Sequence, residues 1–158
     1  MLQTNADIAI WRFDPANPPG GFPDDPEAVL RQSSGSRRIR VLVVDDEQTI
    51  TETLVEILNG EGFDAIAASD GDSAISSARS FAPDVIISDV VMPGRNGVDL
   101  GIQLRKVLPK CRIILFSGQT ATVDLLRDAR AHGHEFEIVP KPVKPEALIS
   151  MIRRRVGN

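Results

Sequence analysis

The sequence predicts an α/β fold, a (βα)5 doubly wound parallel sheet with strand order 2-1-3-4-5, and three observations carry that expectation. From Ile39 onward, short apolar runs alternate five times with segments of helical period. Four of the runs are too uniformly apolar to keep one face in water, as in a parallel sheet covered on both sides. The runs that matter also end in polar residues, at Asp45-Asp46, Asp89, Ser117 and Lys141. Open parallel sheets bind ligands at that carboxyl edge, near the point where strand order reverses.

The chain of 158 residues divides by composition. Five of its eleven prolines and the Gly20-Gly21 pair precede residue 30, and Ser33 to Ser36 reads as a linker. Residues 1–36 are therefore expected to be a flexible arm with at most one short helix, Asp25 as its N-cap and Pro26 at its first position. Trp11, Phe13 and Phe22 are its aromatic residues. The folded domain is expected at residues 37–158. Its strands are IRVLVV, DAIAA, DVIIS, RIILF and FEIV. The first helix follows from Ile50, Leu54, Ile57 and Leu58 at i, i+4, i+7 and i+8, with Asn59-Gly60 as its stop. Asp72 to Ser80 and Thr122 to His132 predict the second and fourth helices. Leu100, Leu104, Val107 and Leu108 mark the third, and Leu148, Met151, Ile152 and Val156 the fifth, opened by Pro145.

A hydrophobic share of 42% and a charged share of 25% give one domain enough core to fold. A net charge of −4 gives no reason to expect nucleic acid or a membrane surface as partner. The arginines at 37, 38 and 40 and at 153 to 155 read as solvated flanks of a strand and a helix end. Cys111, the single cysteine, excludes an internal disulfide and fits a reducing compartment. With no leader pattern and no long apolar run, a cytoplasmic location is expected.

Adjacent carboxylates at the end of a buried strand repel one another and need a cation. Asp45 and Asp46 after strand one and Asp89 after strand three converge at the switch point of the sheet. Such a set of hard oxygen ligands, without cysteine or histidine beside it, suits Mg2+ (or Mn2+). A carboxylate can accept a phosphoryl group, whose transfer asks mainly for positioning and charge neutralisation. Asp89, flanked by the other groups, is then the acceptor, Asp46 with Asp45 holds the metal, and Lys141 and Ser117 attend the remaining phosphoryl oxygens.

From Arg38 to Val156 the chain resembles a two-component response-regulator receiver domain of CheY-like, flavodoxin-like order. The likeness rests on Asp45-Asp46, on SDVVMPGRNG around Asp89, on Ser117 and on Lys141-Pro142. It implies that Asp89 takes its phosphoryl group from a histidine kinase or phosphotransfer protein. It also implies that Asp46 binds Mg2+ directly, Asp45 through water and Val91 by its backbone carbonyl. Lys141 would pair with the phosphoryl group, Ser117 would reorient towards it, and the Lys141-Pro142 peptide would be cis. Val91 and Gln119 stand where the family tunes access of water to the phosphoaspartate. One departure stands out: the aromatic expected three residues before the lysine is Ile138, with Phe116 and Phe136 out of register.

The resemblance further implies a phosphoacceptor regulatory protein rather than an enzyme, limited to self-phosphorylation from a phosphodonor and slow autodephosphorylation. Because the sequence stops after the fifth helix, a stand-alone receiver with a downstream protein partner is expected. Homodimerisation, if any, would use the fourth helix, fifth strand and fifth helix. The alternative is a receiver-like interaction module not regulated by phosphate, favoured only by Ile138. A phosphatase of the haloacid dehalogenase type is set aside, because Glu47 stands where that family needs a second aspartate.

Overall fold

The computed structural model of the protein describes residues 37–118 and 122–156. The expected arm at 1–36 and the tuning position Gln119 lie outside the described residues. Five parallel strands form one sheet: β1 (Arg40–Val44), β2 (Asp64–Ala68), β3 (Val85–Asp89), β4 (Arg112–Ser117) and β5 (Glu137–Pro140), in the order β2-β1-β3-β4-β5. The helices between them are α1 (Gln48–Gly60), α2 (Gly71–Phe81), α3 (Gly97–Val107), α4 (Thr122–Ala131) and α5 (Pro145–Val156). Fold class and strand order are those expected.

The alternation of side chains along each strand divides the core in two. Leu42, Val44, Ile86 and Leu115 join Ala74, Ala78, Leu100 and Leu104 beneath α2 and α3. Val41, Val43, Ile87 and Ile114 join Leu58, Leu148 and Ile152 beneath α1 and α5. Both sheet faces are therefore covered, which explains the unbroken apolar runs Val41 to Val44 in β1 and Val85 to Ile87 in β3. A large aliphatic side chain buried this fully contributes about 1.5–3 kcal/mol of transfer free energy.

α2 starts where Asp70 accepts the Ser73 N–H at 2.8 Å and Ser73 Oγ accepts the Asp70 N–H at 3.3 Å, a reciprocal cap that offsets its serine content. α1 stops at Asn59-Gly60 as expected. Gly60 is its last residue, and the chain turns at Gly62, whose φ of +92° belongs to the left-handed region that glycine tolerates. Asn59 also pins β2, its Oδ1 accepting the Ala65 N–H at 2.8 Å and its Nδ2 donating to Ala65 O at 3.2 Å.

Ile50 also departs from the expected apolar face, being 45% exposed. The helical spacing is correct, but Ile50 lines an open groove together with Pro145 and Leu148 of α5. The arginines read as solvated flanks do structural work in two cases. Arg40 donates to Phe81 O at 2.9 Å and lies over the Phe81 ring, while Arg153 donates to Glu61 O at 2.8 Å and lies over Phe63. Burial pushes the Cys111 thiol up to about 12, so it behaves as a small hydrophobe. Among the described residues no helix is long and apolar enough to cross a membrane.

Candidate functional site: an acidic pocket at the sheet switch point

The register of the sheet assembles the site in three steps. Val44 pairs with Ser88, so the next residues, Asp45 and Asp89, leave β1 and β3 side by side. Asp89 pairs with Phe116, which puts Ser117 one step further along β4. Ser117 pairs with Pro140, and Lys141 follows it, its N–H donating to Ser117 O at 2.9 Å. The Lys141-Pro142 peptide is cis.

Asp45, Asp46 and Asp89 each present a carboxylate oxygen within 4.8 Å of the others. Lys141 Nζ donates to Asp89 Oδ2 at 2.7 Å, with the lysine side chain 34% and the aspartate 12% exposed. Asp89 Oδ1 accepts the Val91 N–H at 3.2 Å, and Asp45 Oδ1 accepts the Glu47 N–H at 3.0 Å. α1 begins at Gln48, so its N-terminal end lies next to this cluster and favours negative charge.

The electrostatics follow from the crowding. Burial, the largest influence, pushes the Asp45 carboxyl above its ordinary 3.8; the Glu47 N–H pulls it down, Asp46 and Asp89 push it up, and Lys141 pulls it down. For Lys141, burial again acts most strongly and favours the neutral amine. The bond to Asp89 and the negative fields of Asp89, Asp45 and Glu47 outweigh it and hold the ammonium above its ordinary 10.5. Three carboxylates thus share one lysine, a donor set that fits a hard divalent cation.

Val91 is 50% exposed at the rim. Ile138 pairs with Leu115 and packs into the α2–α3 side of the core, as does Phe136, whereas Phe116 packs on the α1–α5 side. Phe136 sits on Gly101 of α3, where a Cβ would lie 2.7 Å from its ring, and the Arg105 guanidinium covers it at 4.2 Å. The out-of-register aromatics are therefore partly buried, packed against opposite sides of the core. Beside the site, a groove of about 570 Å³ runs between α1 and α5, with Asp45, Lys141, Ile50 and Pro142 among its lining residues.

Two contributors escaped the sequence reading. Glu47 adds to the field on Lys141, although only its place two residues after Asp45 drew attention. Asn96-Gly97 is a helix start: Asn96 Oδ1 accepts the Asp99 N–H at 2.8 Å, and a Cβ on Gly97 would lie 2.1 Å from the Asp89 carbonyl oxygen. Gly97 therefore allows α3 to begin directly against the backbone of the central aspartate.

Strand order and helix placement make the fold CheY-like, with flavodoxin-like order. A CheY-like receiver domain from Methanospirillum hungatei JF-1 superposes with a TM-score of 0.69 at 21% identity, covering 77% of this chain and 95% of that one. A response regulator receiver domain protein from Clostridium thermocellum superposes at 0.66 with 28% identity, covering 75% and 94%. Residues 41–153 match the response regulator receiver domain family. The DNA-binding response regulator MtrA of Mycolicibacterium smegmatis is 36% identical over 121 residues, spanning 75% of this chain and 51% of that protein. The chain belongs to the response regulator receiver domain family, the phosphoacceptor signalling switches of two-component systems. It spans about half the length of the MtrA proteins it matches.

Proposed function

We propose that residues 37–158 act as a phosphoryl-accepting switch in which Asp89 receives a phosphoryl group from the phosphohistidine of a histidine kinase or phosphotransfer protein. The observation that carries this reading is the convergence of the three carboxylates within 4.8 Å, with Lys141 Nζ 2.7 Å from Asp89. An Asp89 oxygen attacks phosphorus in line with the leaving nitrogen. The P–O bond forms, the P–N bond breaks, and the imidazole departs and takes up a proton. Lys141 passes from Asp89 Oδ2 to a phosphoryl oxygen, and the Ser117 hydroxyl turns to donate to another. A bound Mg2+ or Mn2+ supplies charge neutralisation to the crowded carboxylates and to the incoming group. Asp46, Asp45 and Asp89 with the Val91 carbonyl would hold it. Val91 and Gln119 set the access of water, and hence the rate of slow hydrolysis.

The donor protein docks along the apolar groove between α1 and α5, which opens beside Lys141. Output runs from Ser117 to the surface of α4, β5 and α5. That surface meets a downstream protein or a second copy of the chain, in the cytoplasm. DNA binding belongs to the longer MtrA relatives and is not assigned to residues 37–158.

Treatment with acetyl phosphate and Mg2+, followed by intact mass measurement, tests the reading. One added phosphoryl group is expected, dependent on Mg2+ and absent from Asp89→Asn. Equal labelling of that variant contradicts the assignment.

A further inference from the structure

The loop between β3 and α3 carries the proposed Val91 ligand, yet its backbone bonds fall at its two ends. Val90 N–H donates to Phe116 O at 3.1 Å, and Gly97 N–H donates to Val90 O at 2.7 Å. Between them, Met92 packs partly buried against the α2–α3 side of the core while Pro93 and Gly94 are exposed, with Gly94 at a φ of +78°. Arg95 is the side chain that reaches from this stretch to both neighbouring helices. Its Nη1 donates to Gln103 Oε1 of α3 at 2.9 Å, and its Nη2 lies 3.7 Å from Asp72 Oδ1 of α2. The stem of Arg95 crosses the first residue of α2, Gly71, where a Cβ would stand 3.0 Å from Arg95 Cδ. The arginine is only 32% exposed although Asp72 is 93% exposed, so the side chain lies down on α2 rather than reaching into solvent.

From this geometry we infer that Arg95 is a positioning residue: it straps the β3–α3 loop to α2 and α3 and thereby holds the Val91 carbonyl where a divalent cation is bound. The inference rests on the phosphoacceptor reading of the Asp89 pocket. Groups behind a ligand orient it, and their loss weakens metal binding although they never touch the metal. Arginine suits the task, since its planar fork bonds in two directions at once.

Positioning and simple electrostatics predict opposite signs. Arg95 is a cation near an acidic pocket, so deleting its charge makes the local potential more negative and, by field alone, tightens Mg2+ binding. If the strap orients the ligand, deletion weakens binding instead. An exposed ion pair of this kind adds little to global stability, which separates positioning from a folding defect.

The test uses the full chain with Arg95→Ala and Arg95→Lys, Mg2+ alone as the probe, titration calorimetry for affinity, and amide hydrogen exchange at Val91, Met92 and Gly94 without metal. Arg95→Ala should bind Mg2+ more weakly by on the order of tenfold. The loop amides should exchange faster, and the thermal midpoint should move by less than about 5 °C. Arg95→Lys, which keeps the charge but cannot span both partners, should behave like Arg95→Ala. Unchanged or tighter Mg2+ binding in Arg95→Ala, unaltered loop exchange, or full restoration by lysine overturns the inference. Wild-type protein that binds no Mg2+ removes the phosphoacceptor reading and the positioning role with it; a normal wild-type affinity with an unaffected Arg95→Ala removes the strap alone.

Discussion

Replacing Asp45 by asparagine should stabilise the metal-free protein at neutral pH, and saturating Mg2+ should reverse the order. Asp45 is 5% exposed, and its carboxylate lies within 4.8 Å of oxygens on Asp46 and Asp89. Two unit charges at that separation repel by about 3 kcal/mol at an effective dielectric constant of about 20. Lys141, 2.7 Å from Asp89, cancels much of the Asp89 field, and water screens the exposed Asp46. A net repulsion of about 1–2 kcal/mol remains for asparagine to relieve. The substitution keeps the oxygen that accepts the Glu47 N–H at 3.0 Å, so no bond is lost.

The effect carries a pH signature. Asp45 holds its proton more tightly when folded than in the unfolded chain, where its value is near 3.8. As pH rises from there, the folded state binds more protons than the unfolded one, and stability falls. The advantage of Asp45→Asn is therefore absent at about pH 3 and grows to its full size once pH passes the raised folded value. Urea unfolding of both proteins at about pH 3 and pH 7, with and without Mg2+, reads every part of this prediction. At a hundredfold excess over its dissociation constant, the cation adds about 2.7 kcal/mol to the wild type and less to a variant lacking a carboxylate. A less stable Asp45→Asn at pH 7 without metal, or a gain equal at both pH values, refutes the reasoning.

Two further substitutions probe the same pocket. Gly97→Ala places a Cβ 2.1 Å from the Asp89 carbonyl oxygen and strains the 2.7 Å bond to Val90 O. Overpacking and the lost bond outweigh the better helix propensity of alanine, for a net loss of about 1–3 kcal/mol in urea unfolding; an unchanged midpoint contradicts the close approach. Lys141→Met removes the cation that competes with metal for Asp89 Oδ2. Mg2+ should bind more tightly by calorimetry while the phosphorylation rate, followed by intact mass, falls at least about tenfold; weaker binding or an undiminished rate contradicts the role given to Lys141.

The sheet and its carboxyl edge were legible because both follow from short-range pattern. Apolar runs set the five strands, and a polar residue at the end of each run marked where Asp45, Asp89, Ser117 and Lys141 emerge. Parallel pairing then brings such ends together without further information, as Val44 beside Ser88 brings Asp45 beside Asp89. What escaped depends on distance across the fold. Gly97 looks like any turn glycine until the Asp89 carbonyl is found against it. The exposure of Ile50 depends on how closely α5 approaches the start of α1, which no helical period encodes. Arg40 reaches Phe81, and Arg153 reaches Glu61 from 92 residues away, through long side chains whose partners leave no periodic trace. The helix stop at Asn59-Gly60 was legible, but the bonds of the Asn59 amide to Ala65 of β2 and the left-handed turn at Gly62 were not.

The identity of the acceptor tests the account most directly. Borohydride reduces an acyl phosphate to an alcohol, so the aspartate that carried the phosphoryl group becomes homoserine and can be located by peptide mass. After acetyl phosphate treatment with Mg2+, the account predicts conversion at residue 89 alone, and none when Mg2+ is withheld. Conversion at Asp45 or Asp46, or no conversion with donor and Mg2+ both present, contradicts it.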